Sequence, residues 1–428
     1  KPNRELPLTV GGLPVFSRAW GNEVDPATGQ RKTFDKVVMD IPIGSGPYKI
    51  GPVQFGKDIT YVRDPGYWAR DLPVRRGTAN FDRILVKIYK DNTARLEALK
   101  AGEFDLMRFF SAGDWARRVT GKRFDSGELV KGEFTHRLPM GFQSYVLNTR
   151  RPPLDDIRVR EALGLAMDYE WMNRQMFYNA YQRVQGLFGN TDCAPQGAPT
   201  PEERALLEPL GHQLPPKVMG EMYRPPRTDG DNSLRENLKR AQALLREAGW
   251  SVQNGRLSNA AGQPMVIEYL DSNETGARVV TPWSRNLTKL GIELRFRPVD
   301  FALYQQRLRS FDFDIISINF QGTNNPGSEY ADLFGSTAAK TQDSGNFAGV
   351  ASPAIDRLLN TMIGANTRPE FLAACRALDR GAVADRLCRR RPGGSAAAGG
   401  AHGALARRAG RGWRLCAAVP GYAPADAA

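Results

Sequence analysis

The sequence predicts an α/β protein of two lobes with mixed sheets, and three observations carry that expectation. Its 428 residues exceed what one hydrophobic core usually serves. Short apolar runs of strand character alternate with stretches of helical spacing over most of the chain, the pattern of sheets covered by helices. The most telling segment runs from Ser144 to Asp168. Tyr145 to Asn148 reads as a strand, Pro152 and Pro153 stop it, and Asp155 or Asp156 can accept the free N–H groups that open a helix. Val159, Leu163, Ala166 and Met167 then recur at helical spacing.

Taken in order, Ile43-Gly-Ser-Gly-Pro-Tyr-Lys-Ile50 predicts a tight turn before a strand. Strands are expected at Ile59–Arg63 and Ile84–Tyr89, with Asp64-Pro-Gly-Tyr67-Trp68 between them read as packing. Asn92 or Thr93 caps a helix with Leu96 and Leu99 on its inner face, Gly102 closes it, and Phe104–Met107 starts a strand. This reads as a β-α-β unit.

Residues 189–232 form a long Pro-rich excursion with one helix, introduced by the capping box Thr200-Pro201-Glu202-Glu203. An amphipathic helix follows from Leu234 to Ala248, then a hairpin at Asn254-Gly255 and a strand from Met265 to Leu270. A helix over Gly276–Leu290, a strand over Glu293–Arg297, a helix over Phe301–Ser310 and a strand over Phe313–Asn319 complete the pattern.

Composition excludes several functions. Of the net charge of +13, residues 381–428 carry +6, from eight Arg and two Asp. The remaining charges are interspersed without a basic stripe, so no nucleic acid is expected. No apolar run approaches the roughly 20 residues of a membrane span. Cys193, Cys375, Cys388 and Cys416 form no C-x-x-C pair, and none sits at metal-ligand spacing with the three histidines. Neither metal nor cofactor is expected, and the cysteines read as buried thiols, with a Cys193–Cys375 disulfide open but unsupported by the pattern. No phosphate loop, G-x-S-x-G elbow or H-E-x-x-H is completed, so no enzyme is expected.

The Tyr145–Asp168 string, Gly44-Ser-Gly-Pro-Tyr48, Leu99-Lys-Ala-Gly-Glu-Phe-Asp105 and Phe311-Asp-Phe-Asp314 together resemble the family 5 extracellular solute-binding proteins over about residues 1–380. The Arg-Arg-Pro-rich segment and Glu202–Leu210 are similar to a subgroup of oligopeptide binders resembling YejA. The resemblance implies a type II periplasmic-binding-protein fold, with a first-lobe portion over 1–143 that is incomplete at its N-terminus and a second lobe over 144–380. It implies a periplasmic monomer that captures peptides or modified peptides between its lobes and hands them to the permease subunits of an ABC importer. A sensor or chaperone acting through a protein partner is the alternative.

The ligand candidates follow the last strand. Ile318-Asn-Phe-Gln-Gly-Thr-Asn-Asn-Pro326 offers Phe320 as an aromatic wall and Gln321, Asn324 and Asn325 as amide partners, the asparagines doubling as turn formers. Met140, Phe142 and Gln143 are expected on the opposite wall. Trp283 shares its inner helical stripe with Leu287 and Leu290 and is carried as a candidate beside its packing role. Ser317, Phe320 and Thr323 stand where better-known oligopeptide binders place charged and aromatic groups around peptide termini, so terminal charge pairing is not expected from those positions.

Residues 381–428 contain no Lys, Glu, Gln, Asn, Ile, Phe, Thr or Met and are dominated by Ala, Gly and Arg. A shifted reading frame after about Arg380 accounts for the abrupt change, and the tail is expected to be disordered. Residue 1 is Lys and no leader pattern follows it, so the start of the gene product is expected to lie outside this sequence.

Overall fold

The computed structural model describes residues 5–21, 24, 26, 28–30, 41–136, 138–183, 185–274, 276–384, 388–390 and 401–408. The chain divides into two compact units at 5/6, 136/137 and 402/403. The 136/137 division falls a few residues before the expected 143/144 boundary, and places Met140, Phe142 and Gln143 in the larger unit.

In the smaller unit, β1 (Tyr48–Gln54), β2 (Asp58–Arg63) and β3 (Arg83–Lys87) form an antiparallel three-stranded sheet. The helix α1 (Asn92–Ala101) is capped by Asp91 rather than by Asn92 or Thr93: its carboxylate accepts from the Thr93 and Ala94 N–H groups at 2.8 Å. Leu96 and Leu99 are buried beneath it, as their spacing predicts. The expected β-α-β unit is not formed. Strand β4 (Leu106–Phe109) belongs with β5 (Leu129–His136) in a different sheet from β3. Trp68 is 74% exposed, so its expected packing is also absent, and its indole N–H donates to the Ser45 carbonyl at 3.1 Å.

The larger unit is built on a five-stranded mixed sheet. Its strands are β6 (Phe142–Leu147), β9 (Val266–Asp271), β10 (Glu293–Pro298), β11 (Ile315–Phe320) and β12 (Cys388–Arg390), in the order β10-β9-β11-β6-β12. β9 is parallel to both neighbours, while β6 is antiparallel to β11 and to β12. The short hairpin of β7 (Ser251–Gln253) and β8 (Arg256–Ser258) turns at Asn254 and Gly255, both at positive φ, as the Asn-Gly pair predicts.

Period-two alternation sends β6 side chains into two cores. Tyr145 and Leu147 face one, with Val159 and Leu163 of α2 (Ile157–Leu165), Leu245 of α3 (Ser233–Glu247), and Trp283 and Leu287 of α4 (Gly276–Lys289). Phe142 and Val146 face the other, with Tyr304 and Leu308 of α5 (Phe301–Arg309), Leu358 of α6 (Pro353–Gly364) and Leu378 of α7 (Arg368–Ala384). Helices on both faces of a mixed sheet are the α/β arrangement that the alternation predicts.

The excursion over 189–232 has little regular structure and is held by α7. Cys193 and Cys375 are joined in a disulfide with Cα atoms 5.6 Å apart, which corrects the reading of both as buried thiols. The Asp379 carboxylate accepts from the Leu187 N–H at 2.8 Å. Thr200 caps its helix as expected, accepting from the Glu203 N–H at 3.3 Å, but the Glu203 carboxylate turns to Arg380 at 2.7 Å. Arg380 and Glu203 are 2% and 1% exposed, and the guanidinium also donates to the Gln196 and Gly197 carbonyls at 3.0 Å.

Part of 381–428 is among the described residues. α7 continues past Arg380 to Ala384, residues 388–390 join the large sheet, and β13 (Ala401–Arg408) stands between β4 and β5. The rest of 381–428 lies outside the described residues.

Two outcomes test this account. Arg380→Met leaves the Glu203 carboxylate buried without its cation and is expected to cost about 3–5 kcal/mol in urea unfolding; adding Glu203→Gln should recover part of it. Asp156 caps α2, and the Arg158 guanidinium beside it holds its carboxyl below the ordinary 3.8. A lowered value means that the cap stabilises fully above pH 3.8 and is lost as pH falls through the folded value. Asp156→Ala is expected to cost about 0.5–2 kcal/mol near neutrality, with the gap to the parent protein narrowing in acid.

Candidate functional site

The carboxyl end of β11 and the start of β6 form one surface of the larger unit. In the antiparallel register Phe320 pairs with Phe142 and Asn319 with Gln143. The Phe142 and Phe320 rings stack at 4.5 Å between centroids. Phe142 therefore stands beside Phe320 on one face of the sheet, while Gln143 stands beside Asn319 on the opposite face, since paired residues share a face and successive residues alternate.

Close backbone approach fixes this end of the sheet. A Cβ at Gly141 would overlap the Phe320 carbonyl oxygen, and one at Gly322 would lie 2.5 Å from the Met140 carbonyl carbon. Glycine alone fits at both positions, and β6 and the loop after β11 therefore stay in contact. The Met140 N–H donates to the Gly189 carbonyl at 2.9 Å, and the Asn190 amide donates to the Leu138 carbonyl at 2.7 Å. The excursion thus supports the strand from the side.

The candidates separate by exposure. Phe320 is 8% exposed and its ring also stacks toward Phe334 at 6.3 Å; Met140 and Phe142 are buried. The stacked Phe142 and Phe320 rings form an apolar floor. Gln321, Asn324 and Asn325 are exposed, Gln143 is half-buried, and Asn319 beside it is exposed. Gln321, Asn324 and Asn325 form a polar rim in the loop that follows the floor, while Gln143 and Asn319 lie on the other face of the sheet. Trp283 is corrected: it is 0% exposed, stacked on Tyr145 at 5.1 Å, with its indole N–H donating to the Leu163 carbonyl at 2.9 Å. Both its ring face and its one donor are committed to the core, so no surface remains for a solute.

The loop after the floor is held by charged groups. Both Glu5 carboxylate oxygens accept from the Ser328 N–H, at 3.0 and 3.1 Å, and one accepts from its hydroxyl at 2.8 Å. Arg368 donates to the Asn325 side-chain oxygen at 3.3 Å and to the Asp192 carboxylate at 2.8 Å. Sequence reasoning missed Asn319, Asp192 and Arg368. The capping box Thr367-Arg-Pro-Glu370, in which Glu370 accepts from the Asn366 and Thr367 N–H groups at 3.1 and 3.2 Å, was the available signal for Arg368 at a helix start. Nothing local pairs it with Asp192, 176 positions away.

Asp312 and Asp314 are structural. Arg151 donates to both, at 2.6 and 3.1 Å, and Arg307 donates to Asp312 at 2.9 Å. Burial raises the Asp312 pKa, and the bonds from Arg151 and Arg307 outweigh it, leaving the carboxyl below its ordinary value. Arg150 lies over the Phe311 ring at 3.8 Å and donates to the Ala339 and Asn346 carbonyls at 2.8 Å. The Arg-Arg-Pro segment is an anchor for the sheet. Among the described residues no group of His, Cys, Asp and Glu is placed to hold a metal, and no helix is long and apolar enough to cross a membrane. The pocket lined by Gln305, Leu308, Arg309, Asp343, Ser344 and Phe347 includes none of the candidates.

The chain is 36% identical over 382 residues to a putative binding protein of Brucella melitensis biotype 1, which it covers to 61%. It is 37% identical over 386 residues to the probable peptide-binding protein YejA of Agrobacterium fabrum, covering 62% of that protein; each match takes in 89% of this chain. The chain thus spans about three fifths of the length of these curated relatives. Among solved structures, the periplasmic binding protein DppA of Helicobacter pylori in complex with the peptide STSA matches with a TM-score of 0.62 at 16% identity, over 95% of this chain and 66% of that one. Its likeness shows the fold, the type II periplasmic-binding-protein fold with mixed sheets. Residues 9–342 match the model of the bacterial extracellular solute-binding proteins, family 5 Middle, and with that match over most of its length the chain belongs to this family of solute-binding proteins rather than to a family of enzymes.

Proposed function

We propose that this chain is part of a periplasmic receptor that captures peptides or modified peptides as a monomer and delivers them to the permease subunits of an ABC importer. One observation supports this reading most directly: the stacked rings of Phe142 and Phe320 are rimmed by the exposed amides of Gln321, Asn324 and Asn325 at the carboxyl end of β11. Carboxyl ends of strands in α/β sheets are where ligands are commonly bound. An apolar floor suits the side chains of a peptide, and neutral amides suit its backbone, since a solute amide leaving water needs both a donor and an acceptor to replace it. Kinship with a probable peptide-binding protein points the same way.

Calorimetric titration with a peptide library tests the reading. Binding tighter than about 1 mM is expected for some peptides, corresponding to roughly 4 kcal/mol, and a library with no such binder removes the substrate class. Gln321→Ala and Asn324→Ala should each weaken binding by about 0.5–1.5 kcal/mol and leave the melting temperature unchanged. Phe320→Ala behaves differently. Its ring belongs to the core, so the substitution is expected to cost about 3–5 kcal/mol of stability besides any loss of affinity, as read by urea unfolding.

A further inference from the structure

We propose that the Asn254-Gly255 turn is a site of spontaneous covalent modification, at which the Asn254 side-chain amide is lost through a cyclic imide and an aspartate or isoaspartate takes its place. The step needs only these two residues and water, and it stands apart from the peptide-receptor reading. The main-chain nitrogen of Gly255 gives up its proton to solvent and attacks the side-chain carbonyl carbon of Asn254. The new C–N bond closes a five-membered ring, and the side-chain nitrogen leaves as ammonia. Water then opens the ring. Attack at the side-chain carbonyl leaves aspartate; attack at the main-chain carbonyl leaves isoaspartate, with the Asn254 Cβ now part of the main chain.

Sequence and structure single out this position. Asn254-Gly255 is the only Asn-Gly pair in the chain, and glycine puts no Cβ beside the attacking nitrogen. Both residues are exposed and stand at positive φ, 50° and 77°. Among the described residues no hydrogen bond holds the Asn254 amide or the Gly255 N–H. β7 is exposed along its whole length, so the turn belongs to the part of the fold that opens locally at low cost. Other asparagines are held. The Asn259 amide donates to the Gln263 side-chain oxygen at 2.9 Å, and its own oxygen accepts from the Ala261 and Gln263 N–H groups. Buried Asn346 donates to the Gly335 and Val350 carbonyls at 2.9 Å. Isoaspartate lengthens the main chain by one atom in a two-residue turn whose geometry matches the twist of its strands. The loosening falls on β7, because Leu257 of β8 is buried, its N–H donates to the Gly291 carbonyl at 2.8 Å and its carbonyl accepts from the Met265 N–H at 2.7 Å.

The test keeps the full chain in warm, mildly alkaline buffer and follows its tryptic peptides by mass spectrometry. Cleavage after Arg246 and Arg256 isolates residues 247–256, in which Asn254 is the one asparagine. Its amide should turn to acid on the order of tenfold faster than those of Asn259 and Asn346, and isoaspartyl methyltransferase should label the product. Asn254→Gln, whose longer side chain would have to close a less favoured six-membered ring, should keep its amide. In the aged parent protein the β7 amides should lose protection from hydrogen exchange while the Leu257 amide keeps its own. An Asn254 peptide that keeps its amide as long as the Asn259 and Asn346 peptides overturns the proposal. Conversion without the methyltransferase label, or converted protein with β7 protection unchanged, overturns it as well.

Discussion

The buried ion pair between Arg380 and Glu203 is the constraint on which the larger unit depends. Two charges with almost no solvent contact require full compensation, and they receive it from each other at 2.7 Å and from the Gln196 and Gly197 carbonyls. That requirement fixes the position of the excursion over 189–232, which has too little secondary structure to fix itself. The Cys193–Cys375 disulfide and the bond from the Leu187 N–H to Asp379 bind the same two segments. Three unlike interactions thus tie one helix to the stretch from Leu187 to Glu203.

Their effect reaches the candidate site by short steps. With residues 187–193 held, the Gly189 carbonyl meets the Met140 N–H, Asn190 reaches Leu138, and Asp192 meets Arg368. The start of β6 and the loop after β11 are therefore supported from the side of the excursion. A binding surface made from strand ends needs such support, because the last residues of a strand have neighbours on fewer sides than those in its middle.

The aromatic floor and the Asn319–Gln143 amide pair follow from one register. Pairing of Phe320 with Phe142 puts two aromatic rings in a stack on one face of the sheet, and pairing of Asn319 with Gln143 puts two amides on the other. A slip by one residue would exchange the faces and bury the amides. The contacts of Gly141 and Gly322 with the opposing backbone resist that slip, since any side chain there would force the segments apart. The apolar ring of Phe320 consequently does two things at once: it closes the core and leaves a small part of its surface at the edge of the polar rim.

The sequence by itself determined the α/β class, the order and approximate bounds of the large unit's strands and helices, the Asn254-Gly255 hairpin, the Thr200 cap and the location of the candidate loop. Each of these rests on periodicity or on a bond between residues a few positions apart, which a linear pattern records. Tertiary structure alone decided the rest. Glu203 has a local partner in the capping-box pattern and a distant one in Arg380, and burial makes the charged partner the stronger claim. Trp283 has the spacing of an inner helical face in either role, and only the Tyr145 ring and the Leu163 carbonyl commit it to the core. The β-α-β reading of 84–107 failed because sheet membership depends on which strands pair, a long-range choice that alternation does not encode. The place of Phe142 beside Phe320 and of Gln143 beside Asn319 came from antiparallel pairing across more than 170 positions of chain, and the joining of Asp192 to Arg368 came from the same long-range packing.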